Sequence, residues 1–208
     1  MSLVLEAVRV RLAGRTLVGP LALTVADGET VTVMGPSGSG KSTLLDVVTG
    51  TLAPAFRAEG RVLLDGRDLA GLAPEQRGIG ILFQDPMLFP HLSVGGNLAF
   101  GMPRRVRGRA RRARIAAVLA EAGLEGLADR DPATLSGGQA ARVALMRVLL
   151  AEPRALLLDE PFSRLDAALR ARVRAFVFEH VEVRGLPTLL VTHDPEDARG
   201  RVVRIGGG

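Results

Sequence analysis

The chain has 208 residues, nearly half apolar and a quarter charged, which argues against a disordered chain and suits one globular domain, with or without a subdomain. With no cysteine there is neither a disulfide framework nor a thiolate metal site, and no apolar run approaches the roughly 20 residues that span a bilayer. The formal charge of +5 arises from 27 basic residues, of which Lys41 alone is a lysine, and such a charge bears on association rather than on fold.

The first residues, "MSLVLEAVRVRL", lack the charged start, apolar core and small-residue cleavage site of a secretory leader, which predicts a cytoplasmic chain. Residues 3–25 alternate loosely ("LVLEAVRVRL", "LALTV"), as in an antiparallel β layer. "TVTVM" at 30–34 reads as a strand, glycines then break the pattern, and "STLLDVVTG" reads as a helix closed by Gly50. "GRVLLDGRDL" adds a strand and a turn. Between about 91 and 150 the texture becomes helical ("ARIAAVLAEAGL", "QAARVALMRVLLAE"), whereas "ALLLDE" and "PTLLVTHD" are short apolar runs of the kind found in buried parallel strands. The predicted fold is α/β. Residues 1–90 and 151–208 form a mostly parallel core sheet with an N-terminal antiparallel β layer, and 91–150 form an inserted helical subdomain within a single domain.

Chemistry enters at residues 35–43, Gly35, Pro36, Ser37, Gly38, Ser39, Gly40, Lys41, Ser42 and Thr43. They match G-x-x-x-x-G-K-[ST] after a predicted strand and at the start of a predicted helix, the context this phosphate-binding loop requires. Its glycines let backbone N–H groups close around phosphates, and the helix N-terminus adds a positive dipole end. Lys41 would reach the β- and γ-phosphates of ATP, and Ser42 would ligate Mg²⁺. A point charge on a slim stem fits inside such a loop where the broad guanidinium fork would not, which accounts for a lysine in a chain that otherwise uses arginine.

Asp159 and Glu160 end the run "ALLLDE", at the rim of the sheet where open α/β folds bind ligands. Two acids after a strand are more often a turn than a site. Beside a phosphate loop they become candidates, Asp159 to hold Mg²⁺ and Glu160 to polarise the attacking water. "LSGGQ" at 135–139 places Ser136, Gly137, Gly138 and Gln139 at a helix start, where bare N–H groups can meet an anion, or where Ser136 is simply an N-cap.

The order of these motifs resembles the nucleotide-binding subunit of ATP-binding cassette (ABC) transporters over nearly the whole chain, so the fold implied is the P-loop NTPase cassette of the ABC type. "GPSGSGKST", "LSGGQ" and "LLLDEP" stand for the phosphate loop, the signature and the second acidic motif. "ILFQD" places Gln84 as the glutamine expected to contact Mg²⁺ and sense the membrane partner, "SRLD" at 163–166 matches the loop that communicates across a dimer, and "VTHD" places His193 beside the γ-phosphate. The resemblance implies a homodimer sandwiching two ATP molecules. Each would be held by the phosphate loop of one copy and by Ser136, Gly137, Gly138 and Gln139 of the other, with Glu160 as general base, His193 holding the closed geometry, and ATP and Mg²⁺ as ligands. It further implies transmembrane permease subunits, indirectly a solute-binding protein, and a place on the inner face of the cell membrane.

Within the family the chain is most similar to the short YnjD-like importer type, grouped with thiamine, iron, sulfate and molybdate systems, which leaves the cargo open. "DPMLFPHLSVGGNLAFG" at 85–101 offers Phe89, Pro90, His91 and Leu92 as a groove for the permease, with local core as the bland alternative for Phe89 and Leu92. A C-terminal regulatory domain is not expected after His193. The chain departs from the family in having no aromatic near the end of the first strand to stack on adenine. Arg11 or Leu12 stands there instead, which leaves base selectivity open. "RRVRGRARRAR" at 104–114 carries seven arginines that could meet nucleic acid or anionic lipid; with no interleaved aromatic, a nucleic-acid partner is not expected. The competing class is a soluble ABC-type ATPase of DNA repair or translation.

Overall fold

In the computed structural model, which describes residues 1–206, the alternation of residues 3–25 becomes two antiparallel strands, β1 (Leu3–Leu12) and β2 (Arg15–Val25). A third strand, β4 (Phe56–Leu64), pairs antiparallel with the other edge of β1 and turns through Asp65 and Gly66 into the short β5 (Arg67–Asp68). Both turn residues have positive φ, 52° and 75°, as the tight two-residue hairpin turn demands of an Asp-Gly pair. The sheet order is β2-β1-β4-β5.

The second sheet runs β6-β7-β8-β3-β9. Its strands are β3 (Thr30–Met34), β6 (Ile79–Leu82), β7 (Ala155–Asp159), β8 (Thr188–Thr192) and β9 (Arg201–Arg204). β3 pairs in parallel with both β8 and β9, and β7 with β8. All five residues of β3 and of β8 are buried, which is why both read as unbroken β-branched and apolar runs instead of alternating. Helix α1 (Lys41–Thr49) follows β3 and buries Leu44, Leu45 and Val48 in the core that both sheets share. It ends at Gly50, whose φ of 81° lets its N–H close on Asp46 O.

The chain divides into two compact units. One comprises residues 1–81, 154–160 and 180–208, and contains the strands and α1 described above. The other comprises 82–153 and 161–179, and is helical: α2 (Val94–Gly101), α3 (Gly108–Glu121), α4 (Gly137–Leu150) and most of α5 (Ala167–Val183). Residues 82–90 and 161–179 thus group with the helices. α4 buries Val143, Ala144, Leu145, Met146, Leu149 and Leu150, and α2, which packs on it, buries Val94, Asn97 and Leu98.

Candidate functional site

The strand-unit half of the site begins where β3 stops. Gly35 cannot carry a side chain, because a Cβ there would lie 2.5 Å from the Ile205 carbonyl oxygen and 2.6 Å from Ser39 Oγ. Gly40, in the left-handed region at φ 87°, caps α1 against β2, where a Cβ would lie 2.5 Å from Val18 Cγ2. The loop is therefore pinned between β2 and the end of β9. Inside it, Ser39 Oγ is the one buried side-chain polar atom without a hydrogen-bond partner among the described residues. Buried hydroxyls are ordinarily satisfied, so a polar ligand is the natural partner for this one.

Lys41 is 5% exposed. Its Nζ donates to Gly35 O at 2.9 Å and Pro36 O at 3.0 Å, and lies 3.6 Å from Glu160 Oε1. The other carboxylate oxygen of Glu160 lies 3.1 Å from His193 Nδ1. Glu160 thus stands between an ammonium and an imidazole that come from opposite ends of the sequence. Its φ of 45° is unusual for a residue with a side chain and costs on the order of 1 kcal/mol, the kind of strain that clusters at functional sites. Its N–H donates to Val191 O at 3.0 Å, so β8 holds the strained residue in place.

One residue earlier, Asp159 Oδ1 accepts from Ser42 Oγ at 3.1 Å. Burial pushes the Asp159 carboxyl above its ordinary range. The charges of Glu160 and Asp46 push the same way, while the Ser42 hydroxyl and Lys41 pull against them. The sequence candidates Lys41, Ser42, Asp159, Glu160 and His193 therefore converge at the ends of β3, β7 and β8, and the loop gathers Gly35 to Thr43 beside them.

In the helical unit, Ser136 and Gln139 form a reciprocal cap. Ser136 Oγ accepts from Gln139 N at 3.3 Å, and Gln139 Oε1 accepts from Ser136 N at 3.0 Å. The pattern S-x-x-Q before a helical run was the available signal for this box. Gly138 is buried, and a Cβ there would fall 2.4 Å from Leu169 Cδ1. Gln84 is exposed; together with Phe83, Gly137, Ala141, Leu165 and neighbouring residues it lines a cavity of about 180 Å³. Asp166 caps α5, its Oδ1 accepting from Leu169 N at 3.0 Å.

Sequence reading missed two residues that shape the segment after Gln84. Asn97 is fully buried, accepts from Phe89 N at 2.8 Å and donates to the carbonyls of Phe89, Leu92 and Ser93 at 3.1–3.3 Å. Arg147 donates to Met87 O at 2.8 Å and Pro86 O at 3.0 Å, and its guanidinium sits 5.3 Å from the centre of the Phe89 ring. The only hint was a polar residue on the apolar stripe of each helix. Phe89 and Leu92 are half-buried, while Pro90 and His91 are exposed.

The family model described as "ABC transporter" matches residues 18–163. An uncharacterized ABC transporter ATP-binding protein, YnjD of Escherichia coli K12, is 50% identical over 94% of this chain and 90% of its own length. The thiamine import ATP-binding protein ThiQ of Cereibacter sphaeroides is 51% identical over 85% of this chain and 75% of its own length. The Fe(3+) ions import ATP-binding protein FbpC of Streptomyces avermitilis is 47% identical over 99% of this chain, which spans only 59% of that longer relative.

Proposed function

The chain belongs to the ABC transporter family as an ATP-binding, ATP-hydrolysing subunit, and from that premise we propose that it powers the import of a solute across the cell membrane as one of two copies bound to permease subunits. The reading is supported by relatives that are named import ATP-binding proteins for different cargoes, thiamine, iron and sulfate or thiosulfate among them. Cargo is chosen by other subunits, so the cassette carries the part of the machine that those systems have in common.

One observation carries the assignment of the chemistry: the Glu160 carboxylate held between Lys41 and His193 at the mouth of a phosphate loop. The loop N–H groups and the N-terminus of α1 receive the phosphates of ATP. Lys41 exchanges its contacts with the Gly35 and Pro36 carbonyls and with Glu160 for the β- and γ-phosphate oxygens. Released from Lys41, Glu160 accepts a proton from the attacking water while His193 steadies the other carboxylate oxygen. Hydrolysis of this kind is chiefly positioning and charge stabilisation.

Ser42 and Asp159 suit Mg²⁺, a hard cation that takes oxygen donors. A carboxyl already burdened by burial and by two neighbouring negative charges gains most from a cation. Bound there with ATP, the metal would neutralise charge on the phosphates. Ser136, Gly137, Gly138 and Gln139 complete the site of the partner copy, head to tail, with the Gly137 and Gly138 N–H groups offered in the first turn of α4 while Ser136 and Gln139 cap each other. To Gln84 we assign the reporting of nucleotide state to the permease, through the segment of Phe89, Pro90, His91 and Leu92 that follows it. This places the subunit on the inner face of the membrane, with a solute-binding protein reached only indirectly.

The test joins two measurements. Glu160→Gln should lower turnover by at least about a thousandfold and leave an ATP-bound dimer visible by size exclusion. Pull-down of tagged protein from detergent-solubilised host membranes should recover a multi-span protein. A mutant that turns over normally overturns the role of Glu160. Recovery with ribosomal or nucleic-acid partners alone overturns the transporter reading in favour of a soluble ATPase.

A further inference from the structure

Between Asp85 and Glu121 the chain contains no acidic residue, while seven arginines stand at 104–114. Three of the seven have local partners: Arg105 pairs with Glu152 at 2.5 Å, and Arg107 and Arg111 donate through Nε to the carbonyls of Arg104 and Val106. Arg104, Arg109, Arg112 and Arg114 are exposed, and no carboxylate of the described residues lies within ion-pair distance of them. Three of these four lie in the first half of α3, whose first turn has no acidic residue and whose N-cap, Arg107, makes no side-chain cap. Cations at that end oppose the helix dipole, so the fold carries an unfavourable concentration of positive charge that the single ion pair of Arg105 with Glu152 offsets only in part.

The same acid-free segment also leaves apolar side chains in the open. Phe100, on α2, is 67% exposed, and Met87 is 60% exposed. Phe100 packs against Phe89 with ring centres 4.6 Å apart and planes tilted by 56°, so it leans on the segment that Arg147 and Asn97 hold. A run of exposed arginines with no acid among them is the composition of a surface that meets anionic headgroups at a membrane interface. Nucleic acid fits less well, since no aromatic stands among the arginines to stack on bases.

We propose that the arginine-rich stretch from Arg104 through the first half of α3 binds anionic phospholipid headgroups and so orients the subunit against the bilayer. The inference rests on membership of a family that works at a membrane. It does not depend on import or on cargo. Held this way, the subunit would meet its permease from a surface encounter and not from solution, with the lipid supplying the negative charge that the first half of α3 lacks.

The experiment is flotation of the purified full chain with vesicles of phosphatidylcholine alone or containing 30% phosphatidylglycerol, with no permease present. Binding to the anionic vesicles only, lost on raising salt from about 0.05 to 0.5 M, is expected. The combined Arg104→Gln, Arg109→Gln, Arg112→Gln and Arg114→Gln variant should bind at least tenfold more weakly, with ATP binding unchanged and a thermal midpoint no lower than that of the wild type. Arg→Lys at the same four positions should restore vesicle binding, since the interaction needs charge and not the fork; this variant tests the proposal if the neutral one fails to fold. No preference for anionic vesicles, wild-type binding by the neutral variant, or tighter binding to single-stranded RNA than to the vesicles at equal salt would each overturn it. The import reading fails on a separate measurement, the absence of a membrane partner in the pull-down.

Discussion

Lys41 and Arg147 are two withdrawn cations that both donate to loop carbonyls, yet they serve the phosphate loop and the segment after Gln84 in opposite ways. Lys41 holds Gly35 O and Pro36 O through a single flexible ammonium and has the Glu160 carboxylate within 3.6 Å. Each of those partners is replaceable by a phosphate oxygen without moving the backbone. Arg147 fixes Met87 O, Pro86 O and the Phe89 ring with one rigid fork, has no carboxylate of the described residues at ion-pair distance, and sits where burial lowers its pKa. Its partners are permanent. The difference teaches that lysine serves where a cation must change partners, and arginine where a loop must not move.

The largest effect that would break this comparison is at Lys41. Lys41→Ala should weaken ATP binding by about one to four orders of magnitude, since one or two charge-assisted bonds of about 1.5–3 kcal/mol each are lost. Lys41→Arg should not restore it. Titration calorimetry decides, and near-normal affinity in either variant would show that the loop backbone alone holds the phosphates.

Next in size is the fixed segment. Asn97→Ala strands the Phe89 N–H and loses the donor to three carbonyls, so it should cost about 2–4 kcal/mol in denaturant unfolding. Arg147→Lys keeps the charge but loses the fork. It should cost less, about 1–2 kcal/mol, and raise amide exchange across 86–93. If Arg147→Lys exchanged like the wild type, the distinction between the two cations would fail on the arginine side.

These two regions were also unequally legible in the sequence. The phosphate loop and the acids after "ALLL" could be named because each chemistry needs one residue type at one spacing, and the histidine of "VTHD" through the resemblance to the ABC cassette. The structure brings Lys41, Ser42, Asp159, Glu160 and His193 together. The strands of the core were legible for a different reason, since burial on both faces leaves unbroken apolar runs such as Thr188–Thr192. What periodicity could not reveal was the work of single polar residues on apolar helix faces. Asn97 and Arg147 answer to backbone carbonyls that become neighbours only after folding. The positive φ of Glu160 was equally invisible, because nothing in "LLLDEP" distinguishes a strained residue from a relaxed one. Sequence also says little of α5, whose alternation of arginine and apolar residues has no strong periodicity.

The smallest predicted effect lies away from the site, at Asp65, and isolates what a cation does when it neither changes partners nor locks a loop. Burial works against the Asp65 carboxylate. The Ser2 N–H at 2.6 Å, the Arg154 guanidinium and the terminal ammonium outweigh it and hold the carboxyl below its ordinary value of 3.8. A depressed carboxyl binds fewer protons in the folded state than in the unfolded one. Its contribution is therefore present in full above about pH 4 and is lost as the pH falls through the lower folded value. Asp65→Asn keeps the left-handed turn, which asparagine also tolerates, and removes only the charge. Because Arg154 is half exposed, the cost at neutral pH should stay within about 1 kcal/mol. The variant and the wild type should converge in stability as unfolding is followed from pH 6 down towards pH 3. A constant gap across that range would mean that turn geometry, and not the ion pair, carries the difference.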